Sequence, residues 1–248
     1  MILKKIHICL CPLFITIILF TAVNLNLDAQ NIPLHIRNQY FNNQKQNLKD
    51  TICRRIGIEF PFVIGYNYNQ VTNSDSNHPY FKENKWSKGS LVYQGLYYSV
   101  EGLKYDIEID KLIYLMYDKE NTMNGVALDE NFIREFSVLN STFRYYNDLK
   151  YDTGRILKAG YYEVVYDGKL KFLVRCRKLK TMNDFSSFND LFLLKDGTMT
   201  DINNIGKLIR QLKDKEKRVK EFVKYNLFKL NKSDYSSASK ILKFYENL

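Results

Sequence analysis

Histidine is the scarcest catalytic residue here. Of the three in this 248-residue chain, His7 lies in an N-terminal apolar run, leaving His35 and His78. Neither stands near a Cys or carboxylate at ligand spacing, which argues against a zinc site. Any Ser–His or Cys–His pair would have to use one of these two. No Gly-x-Ser-x-Gly elbow and no phosphate-cradling glycine motif is present. His78 precedes Pro79 in a polar loop and is expected to be exposed. Cysteine is also sparse. Cys9 and Cys11 fall in the N-terminal run, so Cys53 and Cys176 are the pair to weigh. Two cysteines do not make a disulfide scaffold. One bond between them is allowed in an oxidising compartment, and the sequence does not pair them.

The chain opens "MILKKIHICLCPLFITIILFTAVNLNLDAQ". Lys4 and Lys5 precede an apolar run from Ile6 to Val23, followed by a polar stretch ending at Ala29. This is the layout of a signal peptide cut after Ala29, although Leu27 departs from the small residue usual at the −3 position. The alternative is an uncleaved membrane anchor. His7 and Pro12 shorten the apolar core, which favours cleavage. No small-residue pair precedes a Cys after the run, so lipid attachment is not expected. The sequence therefore predicts a periplasmic or secreted protein with no stable membrane span once the segment is removed.

Net charge is +10. Lys4 and Lys5 against Asp28 put +1 in the N-terminal segment, leaving +9 in the rest. Export turns the partners of a basic surface away from nucleic acid and towards an acidic glycan, a lipid headgroup or a peptide. The plainer reading is that a Lys-rich surface keeps the protein soluble.

Three regions follow: a signal peptide over 1–29, an antiparallel β domain over 30–202, and a basic helical segment over 203–248 packed on the sheet. From Gly89 the chain reads as about ten short strands with no helical pattern between them, the mark of an antiparallel meander. Its form is left open among sandwich, open barrel and curved sheet. Turns are read at Gln94-Gly95, Asp110-Lys111, Asn140-Ser141, Asp167-Gly168 and Asp196-Gly197. Asp167-Gly168 is the best candidate for a two-residue type I′ turn. After Ile202 the period changes: Ile205, Leu208, Ile209 and Leu212 make one helical face. Val219, Phe222 and Val223 mark a second helix. Ser233 is placed to cap a third containing Tyr235, Ala238, Ile241, Leu242 and Tyr245. From Asp201 to Leu248 there are 12 Lys/Arg and 6 Asp/Glu. The fold class is thus α+β, mainly β.

In "LKYDIEID", Leu103, Tyr105, Ile107 and Ile109 alternate with Lys104, Asp106, Glu108 and Asp110. Read as one strand, this puts three acids on one face about 7 Å apart. Such a row suits a glycosidase pair or a share of a calcium site. Lys104 in the same row favours a solvated face instead. Asp152-Thr153-Gly154 matches the aspartic protease triplet, but Lys150 and Tyr151 precede it and no second copy exists, so a turn is the better reading. In "KLKFLVRCRK", Leu170, Phe172, Val174 and Cys176 share a core face, making Cys176 buried and inert. Lys169, Lys171, Arg175 and Arg177 share the other face with Leu173 and are read as solvated. The tyrosines of "YQGLYYS" and "YYEVVYDG" are where an aromatic binding platform would lie.

The segment "HPYFKENKWSKGSLVYQGLYYSVEGLKYDIEIDKLIYL" resembles one found in a group of secreted Bacteroidota proteins. In that group Pro-Tyr/Phe-Phe and a Trp precede Gly-Ser-x-x-Tyr-x-Gly-x-x-Tyr, then Leu-x-Tyr-Asp-Ile. "AGYYEVVYDGKLKFLVRCRK", "LFLLKDGTMTDI" and the Lys-rich tail are similar to the remainder, so the resemblance covers 78–248. Its motifs are glycines, aromatics and turn residues. They imply a fold and a compartment, and carry over no catalytic, cofactor-binding or metal-binding residue. The expectation is an exported, non-catalytic envelope binding or structural protein with no cofactor. Two alternatives stand. One is a hydrolase using Asp106, Glu108 and Asp152. The other is a lipid carrier with a cavity lined by Leu103, Tyr105, Ile107 and Ile109.

Overall fold

The computed structural model describes residues 65–68, 77–117, 123–147, 149–152, 158–182 and 184–248. All lie in the second of two compact units, Glu59–Leu248. The signal segment, His35, Cys53, Thr153 and Gly154 lie outside the described residues.

The protein is mainly β. Among the described residues, twelve strands form one sheet: β1 (Gly65–Tyr68), β2 (Ser87–Tyr93), β3 (Leu96–Asp106), β4 (Lys111–Tyr117), β5 (Met123–Leu128), β6 (Ile133–Val138), β7 (Ser141–Tyr146), β8 (Lys150–Tyr151), β9 (Gly160–Asp167), β10 (Lys171–Lys180), β11 (Phe185–Lys195) and β12 (Thr198–Asp201). Their order is β1-β5-β4-β3-β2-β6-β7-β9-β10-β11-β12-β8. It is a meander folded back once, because β2 pairs with both β3 and β6. The β8–β12 pair is parallel and the other ten pairs are antiparallel.

Left-handed pairs make the tight turns at Gln94-Gly95, Leu139-Asn140 and Asp196-Gly197, with φ of +49° and +79°, +51° and +60°, and +49° and +74°. Such pairs match the twist of the strands they join. The Asn140-Ser141 turn is thus one residue earlier than the sequence suggests. Asp167-Gly168 is not a type I′ turn: neither residue has positive φ, and three residues separate β9 from β10. A tertiary contact decides this. Glu246, at the end of the last helix, accepts from the Leu170 amide at 2.8 Å and the Tyr166 hydroxyl at 3.0 Å, which holds the loop open.

Helices α1 (Ile205–Gln211), α2 (Glu216–Tyr225) and α3 (Ser237–Glu246) follow. Asn204 caps α1 by accepting from the Lys207 amide at 2.9 Å. Ser236, not Ser233, is the N-cap of α3, and Tyr235 lies before the helix. Leu208, Ile209, Leu212, Val219, Val223, Ile241 and Leu242 bury against one face of the sheet in the main core. At the centre of that core, Tyr105 packs on Phe143, Phe136 and Tyr161, with ring centroids 4.7, 5.0 and 6.0 Å away.

The other face of the sheet is covered in two places. Tyr68, Tyr80, Ile113 and Ala127 cluster beside Trp86. Tyr162, Leu173, Phe192 and Met199 cluster over β9–β12. Much of the sheet is therefore buried on both sides, as its long apolar runs require.

Candidate functional site

The acid row of "LKYDIEID" does not exist as a row. β3 ends at Asp106, and Ile107–Asp110 is the turn into β4, with Asp110 at φ +60°. Leu103, Tyr105 and Ile107 are buried as the alternation predicts, but Ile109 is 47% exposed. The opposite row is not a wet face. Lys104 and Asp106 are buried. Lys104 Nζ sits 4.5 Å from the Tyr80 ring centre and 4.6 Å from that of Trp86, and donates to Asn84 Oδ1 at 2.9 Å. Asp106 Oδ2 accepts from the Tyr68 hydroxyl at 2.5 Å, and Oδ1 from the amides of Glu108 and Ile109. Burial raises the Asp106 carboxyl above the ordinary value, against these bonds. The "HPYFKENKW" segment covers this face, and period-two alternation shows only that two faces differ.

That turn reaches across the fold to β10. The Lys178 amide donates to the Ile107 carbonyl at 3.2 Å. Between turn and strand lies a cleft of about 570 Å³. Its walls are Ile107–Asp110, Lys158, Tyr162, the run Arg175–Leu179 of β10, and Asp190 and Phe192 of β11. Arg175 Nη2 donates to Asp110 Oδ2 at 2.7 Å, and its guanidinium carbon lies 5.0 Å from the Tyr162 ring centre. The Tyr105 hydroxyl donates to Asp110 Oδ1 at 2.5 Å. Arg177 pairs with Asp190, which also accepts from Lys232 at 3.0 Å. Burial raises the Asp190 carboxyl, but the bonds from Lys232 and Arg177 outweigh it and leave the group below its ordinary value. Lys178 Nζ donates to the His78 carbonyl at 2.7 Å. Burial lowers the Lys178 ammonium, partly offset by Asp106 and Asp184.

The remaining candidates are scattered. Glu108 lines the cleft, Asp106 does not, and Asp152 follows β8 at the far edge of the sheet, its amide on the Met199 carbonyl. The three acids of the hydrolase reading are not brought together. His78 is buried rather than exposed, its Nδ1 accepting from the Tyr80 amide at 3.1 Å. Cys176 is a buried free thiol 3.7 Å from Glu163, and burial raises it strongly. The basic face of β10 is ion-paired rather than bare: Lys171 pairs with Asp167, Arg175 with Asp110 and Arg177 with Asp190, while Leu173 is buried. Tyr98, Tyr161 and Tyr162 are core residues, so "YQGLYYS" and "YYEVVYDG" present no continuous ring platform. Leu103 and Tyr105 line no cavity, because aromatic rings fill the interior around them. Among the described residues, no group of His, Cys, Asp and Glu is placed to hold a metal, and no helix is long and apolar enough to cross a membrane.

Sequence reasoning missed Lys158 and Lys178. Nothing local marks them: one lies in a loop and the other is one of five Lys/Arg between 169 and 178. No family model, curated protein or solved structure matches this chain.

Proposed function

We propose that the protein is an exported, non-catalytic binding module of the cell envelope, and that the cleft between the β3–β4 turn and β10 takes an acidic glycan. One observation carries the reading. Asp110 and Asp190 are committed to Arg175, Arg177 and Lys232, while Lys158 lines the cleft with no carboxylate at ion-pair distance among the described residues, and Lys178, its ammonium held on the His78 carbonyl, adds a second positive charge to the cleft wall. Two cations in a half-open cleft suit a carboxylated ligand. Ile109 and Leu179 add apolar rims for the faces of a sugar ring. Among the described residues the cleft is lined by no Ser, Thr or His, and its one thiol is buried, so none of them supplies an activated hydroxyl or thiol beside Glu108.

Calorimetric titration with oligogalacturonate, a carboxylated glycan, tests this. Binding is expected, with a loss of about tenfold for each of Lys158→Met and Lys178→Met, the scale of one charge-assisted hydrogen bond. No binding, or binding indifferent to both lysines, overturns the cleft as the site. Turnover of a glycosidic, ester or peptide substrate that Glu108→Gln abolishes would overturn the non-catalytic reading.

A further inference from the structure

The end of α2 carries a strain that its own packing does not require. The Phe228 amide donates to the Val223 carbonyl at 3.1 Å, and the Leu227 amide to the Lys224 carbonyl at 3.3 Å. These two reverse bonds close a helix through one left-handed residue, a position that glycine or asparagine usually takes. Here it is Leu227, at φ +53°. A branched apolar side chain is strained there, and with 82% of it exposed, Leu227 gains no burial in return. The apolar contact that accompanies such a closure is supplied by Phe228, whose ring centre is 5.6 Å from that of Phe222. Local strain of this kind, held without a packing reward, points to use at the surface. Tyr225 stands beside it, 87% exposed.

The surroundings are basic. Residues 213–229 hold seven Lys/Arg and three Asp/Glu, a net of +4. Val219 and Val223 are the buried side of α2, so Lys217, Arg218, Lys220 and Lys224 face outward. Among the described residues, Lys220 alone of these four has a carboxylate partner, Glu216 at 2.6 Å.

We infer that this end of α2 docks on an anionic phospholipid bilayer, with the outward lysines among the headgroups and Tyr225 and Leu227 entering the interface. Each basic residue near such a surface strengthens binding by about fivefold. A tyrosine suits a boundary that is apolar on one side and wet on the other. Burying one leucine is worth about tenfold or more. An acidic polymer in solution would satisfy the lysines equally but would leave Leu227 idle, so the pairing of charge with two protruding apolar side chains favours lipid. Docking here is independent of the cleft, which lies between the β3–β4 turn and β10.

The test is flotation of the soluble exported chain with vesicles of phosphatidylcholine alone or mixed with phosphatidylglycerol. Binding is expected only to the mixed vesicles, and it should weaken as salt is added. The Lys217→Gln, Lys224→Gln double variant should bind about twentyfold or more weakly. Leu227→Gly removes the backbone strain, so its thermal midpoint should match or exceed the parent's while its vesicle binding falls about tenfold. That combination separates a docking role from a folding role. Absence of binding to the mixed vesicles overturns the inference. So does equal binding to neutral vesicles, or binding that the lysine variant loses and Leu227→Gly keeps in full, which would mark a general polyanion site.

Discussion

The carboxylate of Asp110 holds the guanidinium of Arg175 at 2.7 Å across 65 residues of sequence. The pair ties the β3–β4 turn to the middle of β10 and forms one wall of the cleft. Arg175 is the more deeply placed partner, with 11% of its side chain exposed. Asp110→Asn keeps the shape and tolerates the left-handed backbone, but leaves that guanidinium short of charge. A loss of about 2–3 kcal/mol is expected from urea unfolding. The double variant Asp110→Asn, Arg175→Met should lose less than the sum of its parts, because it leaves no buried unpaired charge. A single variant within about 0.5 kcal/mol of the parent would show that the pair does not hold the turn.

Lys104 lies over Tyr80 and Trp86, and Trp86 is the sole tryptophan of the chain. Lys104→Ala removes the cation, its bond to Asn84 and the packing of its stem. The expected loss is about 1–2 kcal/mol, with a change in tryptophan emission that reports this site alone. Unchanged emission would place Trp86 away from the ammonium.

Asp106 gives a pH signature. Its folded value lies above the ordinary 3.8 because of burial. A carboxyl raised on folding takes up a proton in the native state first, so its contribution is present at low pH and is lost as pH rises through the folded value. Asp106→Asn keeps an oxygen for the amides of Glu108 and Ile109 and does not titrate. Its stability relative to the parent is expected to improve as pH climbs from ~4 to ~7. A difference constant across that range would mean that Asp106 titrates alike in the folded and unfolded chains.

Gly89, within β2, and Gly95, in the turn of the same hairpin, should respond differently. A Cβ on Gly89 would fall on the Ser137 carbonyl oxygen and lie 2.8 Å from Leu103 Cδ1. One on Gly95 meets nothing within 4 Å, though φ there is +79°. Gly89→Ala is therefore expected to cost about 2–3 kcal/mol by overpacking β2 against β6, and Gly95→Ala about 1 kcal/mol by backbone strain alone. Equal melting temperatures for the two variants would contradict the close approach at Gly89.

The strands were legible in the sequence because alternation and turn residues act locally. Leu103, Tyr105, Ile107, Phe172, Val174 and Cys176 are buried as that pattern predicts. The same rule misled at Asp106 and Lys104. It separated the two faces of β3 correctly, but could not tell that Tyr68, Tyr80 and Trp86, from chain far upstream, shut water out of the second. It also ran one strand through Ile107–Asp110, where the chain turns. The cleft was not legible, since it joins 107–110, 158–162, 175–179 and 190–192, and only the fold-back at β2 brings these together.

For "LKYDIEID", then, the sequence by itself determined which side chains belong to the core, because burial follows the two-residue period of a strand. It also set the three helical faces and the concentration of positive charge after Asp201, which are properties of spacing and composition. Tertiary structure decided the rest. It buried Asp106 under Tyr68, gave Asp110 to Arg175, opened the Asp167-Gly168 loop with Glu246, and left Leu227 strained and exposed at the end of α2. Each of these depends on a partner tens of residues away, or on the absence of one, and no local pattern encodes that.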